Sequence, residues 1–168
     1  MRRWSLCLFA LLLAGGAGPV NATTLLLVRH AQKAQGEDPV LTEAGAAWAE
    51  RLAAAIASAG VSAIYVTDTR RSALTAAPAA RSGGLTPLVR SRTDAPAHAA
   101  ALATELRARS DTDVVLAVEH SDTVPLVLKS LGVANPPTLG DQDYGDVFVV
   151  TWSAAAAARP PSVLRLRL

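Results

Sequence analysis

The chain has 168 residues, 16 Lys plus Arg and 14 Asp plus Glu, with a formal net charge of +2. Arg2 and Arg3 precede an apolar run at residues 4–14 and a small-residue site at residues 20–22, a pattern typical of a secretory signal peptide cut after Ala22. Cleavage there would leave 146 residues with 14 basic and 14 acidic side chains. A neutral chain disfavours nucleic-acid binding. The apolar run is also much shorter than the roughly 20 residues of a membrane span.

We therefore expect residues 1–22 to be a signal peptide and residues 23–168 to form one domain, exported to the periplasm. The single cysteine, Cys7, lies within the apolar run, so the mature chain would have no disulfide. No membrane span is expected in the mature chain. A domain of this size buries roughly 68–70% of its unfolded surface, which is enough for a core without covalent or metal support.

Strand-like and helix-like segments alternate along the rest of the chain, with turn residues between them. Residues 24–28 and 114–118 are continuous apolar runs, typical of strands buried on both faces. Weaker strand patterns lie at residues 63–66, 87–90, 147–152 and 163–168, and helical patterns at about residues 43–59, 69–80, 94–109 and 122–131. The alternation predicts a single α/β domain.

Three residues bear on where the helices begin and end. Thr42 and Asp94 are N-cap residue types directly before helical patterns, so we expect them to cap the first and third helices. Pro78 lies inside the second helical pattern, which is expected to run to about Ala80; an early end at Pro78 is the alternative, because proline lacks a backbone N–H.

Two histidines occupy equivalent places in this pattern. His30 and His120 each follow a buried strand and precede a helix, and ligands of open α/β sheets bind at the carboxyl ends of strands. Arg29 precedes the first histidine, and Arg70 and Arg71 begin the helix after the second strand. Guanidinium groups bind phosphate oxygens in a bidentate manner, and a neutral imidazole can act as a nucleophile. The pattern indicates an anion pocket.

Other interpretations of the histidines remain open at this point. A histidine at a strand end commonly serves as a structural hydrogen-bonding group. Zinc is disfavoured, because neither His30 nor His120 has an H-x-x-x-H or carboxylate-rich neighbourhood. We expect no metal or other cofactor. His98, in an alanine-rich helical segment, is expected to be a partly buried bystander.

Five segments carry a family resemblance. They are LVRHAQK at 27–33, LTEAG at 41–45, YVTDTRRSALTA at 65–76, VEHSDTVP at 118–125 and DYGDVFVV at 143–150. Together and in this order they resemble the signatures of the histidine phosphatase superfamily, also called phosphoglycerate-mutase-like. The last two are similar to a variant found in small exported bacterial members. The resemblance implies a three-layer α/β/α sandwich with a mostly parallel central sheet.

The resemblance also implies roles for four residues. His30 would be the nucleophile that takes the phosphoryl group, Arg29 and Arg71 would hold the phosphate oxygens, and His120 would donate hydrogen bonds to them. Arg71 is preferred to Arg70, because the family arginine lies four residues before the threonine that matches Thr75 here.

The general acid that would protonate the leaving group is not defined by the resemblance. Asp94 and Asp122 are tentative candidates, and each can instead cap a helix. Glu119 adjoins the second histidine, where its charge would weaken phosphate binding. Lys33 adds positive charge near the pocket mouth or is simply exposed. Without a strong acid, substrates with good leaving groups, such as phosphohistidine or aryl phosphates, are favoured.

These observations predict a metal-independent phosphatase that acts on a small phosphorylated substrate through a phosphohistidine on His30. A mutase is disfavoured because the chain is short. The alternative is a catalytically weak or inactive phosphate-binding or sensory module with the same pocket. Since a histidine ordinarily titrates near 6.5, protonation of His30 is expected to limit activity on the acidic side.

Overall fold

The computed structural model describes residues 21–156 and 158–168. Most of the predicted signal peptide, residues 1–20, lies outside the described residues. In chain order, the elements are β1 (Thr23–Arg29), α1 (Glu43–Ile56), β2 (Val61–Thr67), α2 (Arg70–Gly83), β3 (Leu88–Arg90), α3 (Ala95–Arg107), β4 (Val114–Glu119), α4 (Thr123–Ser130), β5 (Asp146–Trp152), a short 3-10 turn (Ala154–Ala156) and β6 (Ser162–Arg167).

The six strands form one mixed, mostly parallel sheet in the order β3-β2-β4-β1-β5-β6. The first four strands of the chain pair in parallel, β5 runs antiparallel to β1, and β6 runs antiparallel to β5. One core packs α3 and α4 against the sheet, and the other packs α1 and α2 against its opposite face. The predicted three-layer α/β/α architecture is confirmed.

The packing of β1 explains why residues 25–28 are all apolar. Side chains alternate between the two faces of a strand, so Leu25 and Leu27 enter the core with α3 and α4, whereas Leu26 and Val28 enter the core with α1 and α2. A strand between two helical layers therefore needs no polar face.

Helix α2 continues through Pro78 to Gly83, so the early end at Pro78 does not occur. Pro78 is buried, and burial of this residue offsets the loss of one backbone hydrogen bond. The helix stops instead at Gly84, whose left-handed φ of 63° favours glycine. The capping predictions are confirmed: Thr42 accepts from the N–H of Gly45, and Asp94 from that of Ala97.

The topology brings the carboxyl ends of β1, β2, β3 and β4 to one edge of the sheet. Strands β1 and β4 are direct neighbours, and Arg29 is the register partner of Glu119. His30 and His120 are the next residues on each strand, and the N–H of His30 donates to the carbonyl of Glu119 at 2.8 Å. In the part of the chain that the structure describes, no helix is long and apolar enough to cross a membrane.

The first turn of α1 packs directly on the loop that follows His30. A Cβ at Gly45 would overlap the carbonyl oxygen of Gln32. We therefore expect Gly45→Ala to destabilise the protein by about 1–3 kcal/mol, the usual cost of overpacking, measured by urea unfolding. Ala47→Ser, at an exposed position of the same helix, should change the free energy of unfolding by less than about 0.5 kcal/mol. Equal effects of the two substitutions would contradict this packing argument.

Candidate active site

His30 is buried, and the main chain fixes which of its two ring nitrogens is free. Its side chain is 3% exposed, and Nδ1 lies 2.8 Å from the carbonyl oxygen of Ala31. Since a carbonyl only accepts hydrogen bonds, Nδ1 carries the proton and Nε2 has the free lone pair. The N–H of Ala31 donates to Thr75 Oγ1 at 2.9 Å, which holds this turn against α2. Nε2 is thus available as a nucleophile.

His120 lies beside it, with a ring centroid 5.0 Å from that of His30. Nε2 lies 2.8 Å from Thr67 Oγ1, and Nδ1 lies 3.4 Å from Arg71 Nη2. The guanidinium can only donate, so Nδ1 accepts and Nε2 donates to the threonine. His120 is therefore neutral in this structure, with Nδ1 toward Arg71.

Both rings are held in the neutral form. Burial, reinforced by the charges of Arg71 and Arg29 and opposed by the hydrogen bond to Ala31, lowers the pKa of His30 to about 4. Burial lowers the pKa of His120 to about 2, with the charges of Arg92, His30 and Arg71 adding to the effect. An ordinary reference of 6.5 therefore does not apply to His30, and acid should impair the nucleophile only near pH 4.

Arg29 is 7% exposed and is positioned by the loop before β5. Its Nη1 donates to the carbonyls of Gly140 at 2.8 Å and Asp143 at 3.2 Å. Its guanidinium carbon lies 4.0 Å from the ring centroid of Tyr144, which is a cation–π contact. These contacts hold one edge of the guanidinium within the protein.

Arg71 and Arg70 have different surroundings, although they are adjacent. The Arg71 side chain is only 13% exposed and reaches His120, with Nη1 3.7 Å from Asp38 Oδ1. Burial and the charge of Arg92 lower the pKa of Arg71 from its usual value. Arg70 is exposed, and its backbone N–H donates to Asp38. Of the two arginines, only Arg71 is positioned beside the histidines.

Arg92 is a site residue that the sequence analysis missed. It follows β3 at the same sheet edge, pairs with Asp122, and its charge is the largest charge effect on both Arg71 and His120. The missed signal was available, because Arg92 stands just after a strand end, as Arg71 does. The Nε atoms of Arg29, Arg71 and Arg92 have no hydrogen-bond partner among the described residues.

The two candidate acids have other partners in this structure. Asp94 Oδ1 accepts from the N–H of Ala97 at 3.0 Å and so caps α3. Asp122 makes no side-chain cap at α4; its carboxylate pairs with Arg92. One oxygen of each carboxylate is therefore engaged within the protein.

Glu119 does not face the phosphate pocket, contrary to expectation. Because side chains alternate along β4, its carboxylate lies away from His120 and meets His98 Nε2 at 3.0 and 3.1 Å. It is 1% exposed, and His98 is 7% exposed. His98 is thus no bystander. Its pKa is raised by the hydrogen bond to the Glu119 carboxylate, against the opposing effect of burial.

The arginines of the site line two cavities. One, of about 380 Å³, is lined by Arg29, Gln32, Lys33, Gln35, Asp141, Gln142 and Tyr144. The other, of about 480 Å³, is lined by Glu37, Asp38, Asp68, Thr69, Arg71, Arg92 and Thr93. Lys33 therefore belongs to the mouth on the Arg29 side. Among the described residues, no group of three or more His, Cys, Asp or Glu side chains could hold a metal ion.

The electrostatics of the site give a prediction for the free protein. The His30 ring should titrate near pH 4, and that of His98 above its ordinary value. Inorganic phosphate should raise the pKa of His30 and His120, because a bound dianion opposes the arginine charges. NMR titration of the three imidazoles checks this. Titration of His30 at or above 6.5 in the phosphate-free protein would be inconsistent with the geometry described.

The sequence of this chain was compared with protein families and with curated proteins. Residues 25–94 match the histidine phosphatase superfamily (branch 1). No curated protein matches the chain in sequence.

Three solved structures illustrate the fold. The protein histidine phosphatase SixA complexed with tungstate is 15% identical, covers 86% of this chain and 96% of its own, and has a TM-score of 0.68. A putative phosphohistidine phosphatase SixA from Nakamurella multipartitia is 21% identical, with coverages of 89% and 98% and a TM-score of 0.63. A mycobacterial glucosyl-3-phosphoglycerate phosphatase with inorganic phosphate is 21% identical, with coverages of 85% and 95% and a TM-score of 0.63. Residues 25–94 thus carry the sequence pattern of the histidine phosphatase superfamily, and the chain has the α/β fold of these solved phosphatases.

Proposed function

We propose that this protein is a metal-independent phosphatase that hydrolyses a small phosphomonoester, or a phosphohistidine, through a phosphohistidine intermediate on His30. One observation carries the proposal. The neutral His30 has its Nδ1 proton bound to the Ala31 carbonyl, which leaves Nε2 free beside His120, in a site that also holds the buried Arg29 and the half-buried Arg71. A nucleophile, an anion pocket and a second imidazole are then in one place.

The arginines would bind the phosphoryl group before reaction. Arg29 keeps Nη2 and Nε outside the hydrogen bonds described above, and Arg71 has only a long ion pair and a 3.4 Å contact to His120. Both guanidinium groups can therefore turn to phosphate oxygens at little cost in lost bonds. When Arg71 turns to phosphate, His120 Nδ1 loses its donor, and the dianion favours protonation there. His120 would then donate to a phosphate oxygen.

The reaction has two displacements. His30 Nε2 forms a bond to phosphorus while the bond between phosphorus and the leaving oxygen breaks. That oxygen takes a proton, or leaves as a stable anion. Water then attacks the phosphorus of the phosphohistidine, the P–N bond breaks, and inorganic phosphate and neutral His30 result. Positive charge around the transferring group stabilises both transition states.

Asp94 and Asp122 are the candidate sources of the leaving-group proton. Asp94 uses one carboxylate oxygen to cap α3, and Asp122 would have to exchange Arg92 for a proton and the substrate. Asp122 is the better placed, because its partner Arg92 lines the same cavity as Arg71. Leaving groups that need little protonation are favoured in either case.

We also propose that the protein works after export to the periplasm and cleavage after Ala22. The charged start and apolar run of residues 1–22 support this. The first strand begins at Thr23, so cleavage would leave every described element whole. Detection of a mature N-terminus at Thr23 in a periplasmic extract is the direct measurement, and retention of residues 1–22 there would refute cleavage.

A second candidate function is a phosphate-binding or sensory module with little or no turnover. The observation that favours it is the engagement of both acidic candidates, Asp94 and Asp122, in other contacts. The two functions share a pocket and differ only in turnover.

The first test is hydrolysis of p-nitrophenyl phosphate by residues 23–168 in the presence of EDTA. We expect turnover, and loss of at least about 10³-fold in His30→Ala, since the nucleophile is removed. Mass spectrometry after acid-free quenching should detect a phosphorylated His30 peptide. Phosphate binding without turnover between about pH 5 and 8 would establish the binding module instead, and inactivation by EDTA would refute metal independence.

The adjacent arginines provide a matched pair. Arg71→Ala should lower kcat/KM by about 10²–10³-fold, as expected for a group that stabilises transition-state charge. Arg70→Ala removes an identical side chain that is exposed, and its kcat/KM should stay within about twofold of that of the parent. Equal losses in both variants would mean that the wrong arginine has been assigned to the phosphate.

A further inference from the structure

Behind the second histidine lies a buried polar cluster for which the proposed reaction gives no role. It consists of Glu119 at the end of β4, His98 on α3 and Thr123 at the start of α4, which are 1%, 7% and 0% exposed. Burial of this much polarity is unfavourable unless every group is hydrogen-bonded. The cluster meets that condition, and its hydrogen-bond directions can be assigned.

His98 faces two acceptors. Nδ1 lies 3.0 Å from the carbonyl oxygen of Ser91, and Nε2 lies 3.0 Å from a carboxylate oxygen of Glu119. Neither partner can donate to a ring nitrogen when the carboxyl group is ionised, so both nitrogens must carry protons to form both bonds. With Glu119 ionised, the geometry is that of an imidazolium cation paired with a carboxylate, and the raised pKa of His98 favours this form.

Thr123 connects this pair to the candidate catalytic histidine. Its Oγ1 lies 2.6 Å from Glu119 Oε2 and 2.9 Å from the backbone nitrogen of His120. The hydroxyl has one proton, which it donates to the carboxylate, so its lone pair accepts the N–H of His120. The charged pair thus orients the hydroxyl that holds the main chain at His120.

The same pair also reaches the arginine beside the pocket. Ser91, whose carbonyl accepts from His98, directly precedes Arg92, and the backbone N–H of Arg92 lies 3.4 Å from Asp68 Oδ1. His98 therefore ties the loop after β3 to the end of β4.

We propose that His98, Glu119 and Thr123 are positioning residues, which act through one hydrogen-bonded chain to hold the backbone of His120 and the Arg92 loop in the geometry that phosphoryl transfer needs. This inference rests on the proposed phosphatase function. As positioning residues, the three would act through other groups rather than by touching the substrate.

The chain of bonds is sensitive to pH through His98. The charged groups that act on His98 are Glu119 on β4 and Arg92 after β3, while the charge of His98 in turn acts on His120 and on Glu105 of its own helix. The pKa of His98 is raised, so the pair is complete below that pKa and is lost as the pH rises through it. Activity should therefore fall on the alkaline side as His98 loses its proton.

The main experiment compares Thr123→Val with Thr123→Ser in residues 23–168. Valine keeps the shape and removes the hydroxyl, whereas serine keeps the hydroxyl. We expect kcat for p-nitrophenyl phosphate to fall about 10- to 100-fold in the valine variant, since small displacements of catalytic groups have effects of this size, and to stay within about threefold in the serine variant. KM should change less than kcat. Equal kcat values in all three proteins, or equal losses in both variants, would overturn the proposal.

Glu119→Gln is a second variant that does not depend on the folding of the first. The amide keeps an acceptor for Thr123 but removes the charge that raises the pKa of His98. The alkaline limb of kcat should move to lower pH, with little loss at its optimum. Asp113→Asn is the matched control, because it weakens the Ser62 contact at the opposite edge of the sheet and should not move the limb. An alkaline limb that stays in place in Glu119→Gln would overturn the proposal.

Failure of the phosphatase proposal would be separately visible. If the parent protein shows no turnover, inorganic phosphate replaces the substrate, and the ring resonances of His120 are followed by NMR. The phosphate-induced shift should persist in Thr123→Ser and be reduced in Thr123→Val. Identical shifts in the two variants would overturn the positioning role even in a protein that only binds phosphate.

Discussion

The parallel pairing of β1 with β4 is the constraint on which the rest of the site depends. Arg29 lies opposite Glu119 in the register, so the next residue of each strand is a histidine, and the two rings come within 5.0 Å. A shift of one residue would exchange the faces of all side chains on β1. Its alternate leucines fill two different cores, so such a shift would bury the wrong set in each layer. The packing of the sheet thereby fixes the chemistry at its edge.

Burial, reinforced by neighbouring positive charge, explains the neutral state of both imidazoles. Burial and nearby guanidinium groups act in the same direction, so both rings are neutral and their pKa values are low. The carboxylate of Glu119 would oppose this effect if it faced the pocket, but strand alternation directs it to the other side of β4, where His98 neutralises it. His120 therefore lies among positive charges, while the carboxylate of the adjacent Glu119 lies on the other side of β4.

Much of this arrangement could be predicted from the sequence. Uninterrupted apolar runs identified β1 and β4, and the strand-end rule placed His30 and His120 at one edge. Local patterns could not show which residues meet across elements. His98 and Glu119 are 21 residues apart and pair only because α3 packs on the face of β4 opposite the pocket. The effect of Pro78 stayed open for a related reason, since its tolerance depends on tertiary burial. Arg92 was missed because β3 is short and exposed, which made its end a weak signal.

The bond from His30 Nδ1 to the Ala31 carbonyl has an evolutionary consequence. Many catalytic histidines owe their tautomer to an acidic side chain, which one mutation can remove. Here the acceptor is part of the main chain, present whatever side chain occupies position 31. The side chain that supports this arrangement is instead Thr75 on α2, whose hydroxyl accepts a hydrogen bond from the N–H of Ala31. The acceptor for Nδ1 is therefore independent of the side chain at position 31, whereas its anchoring depends on a threonine 45 positions from the nucleophile in the chain.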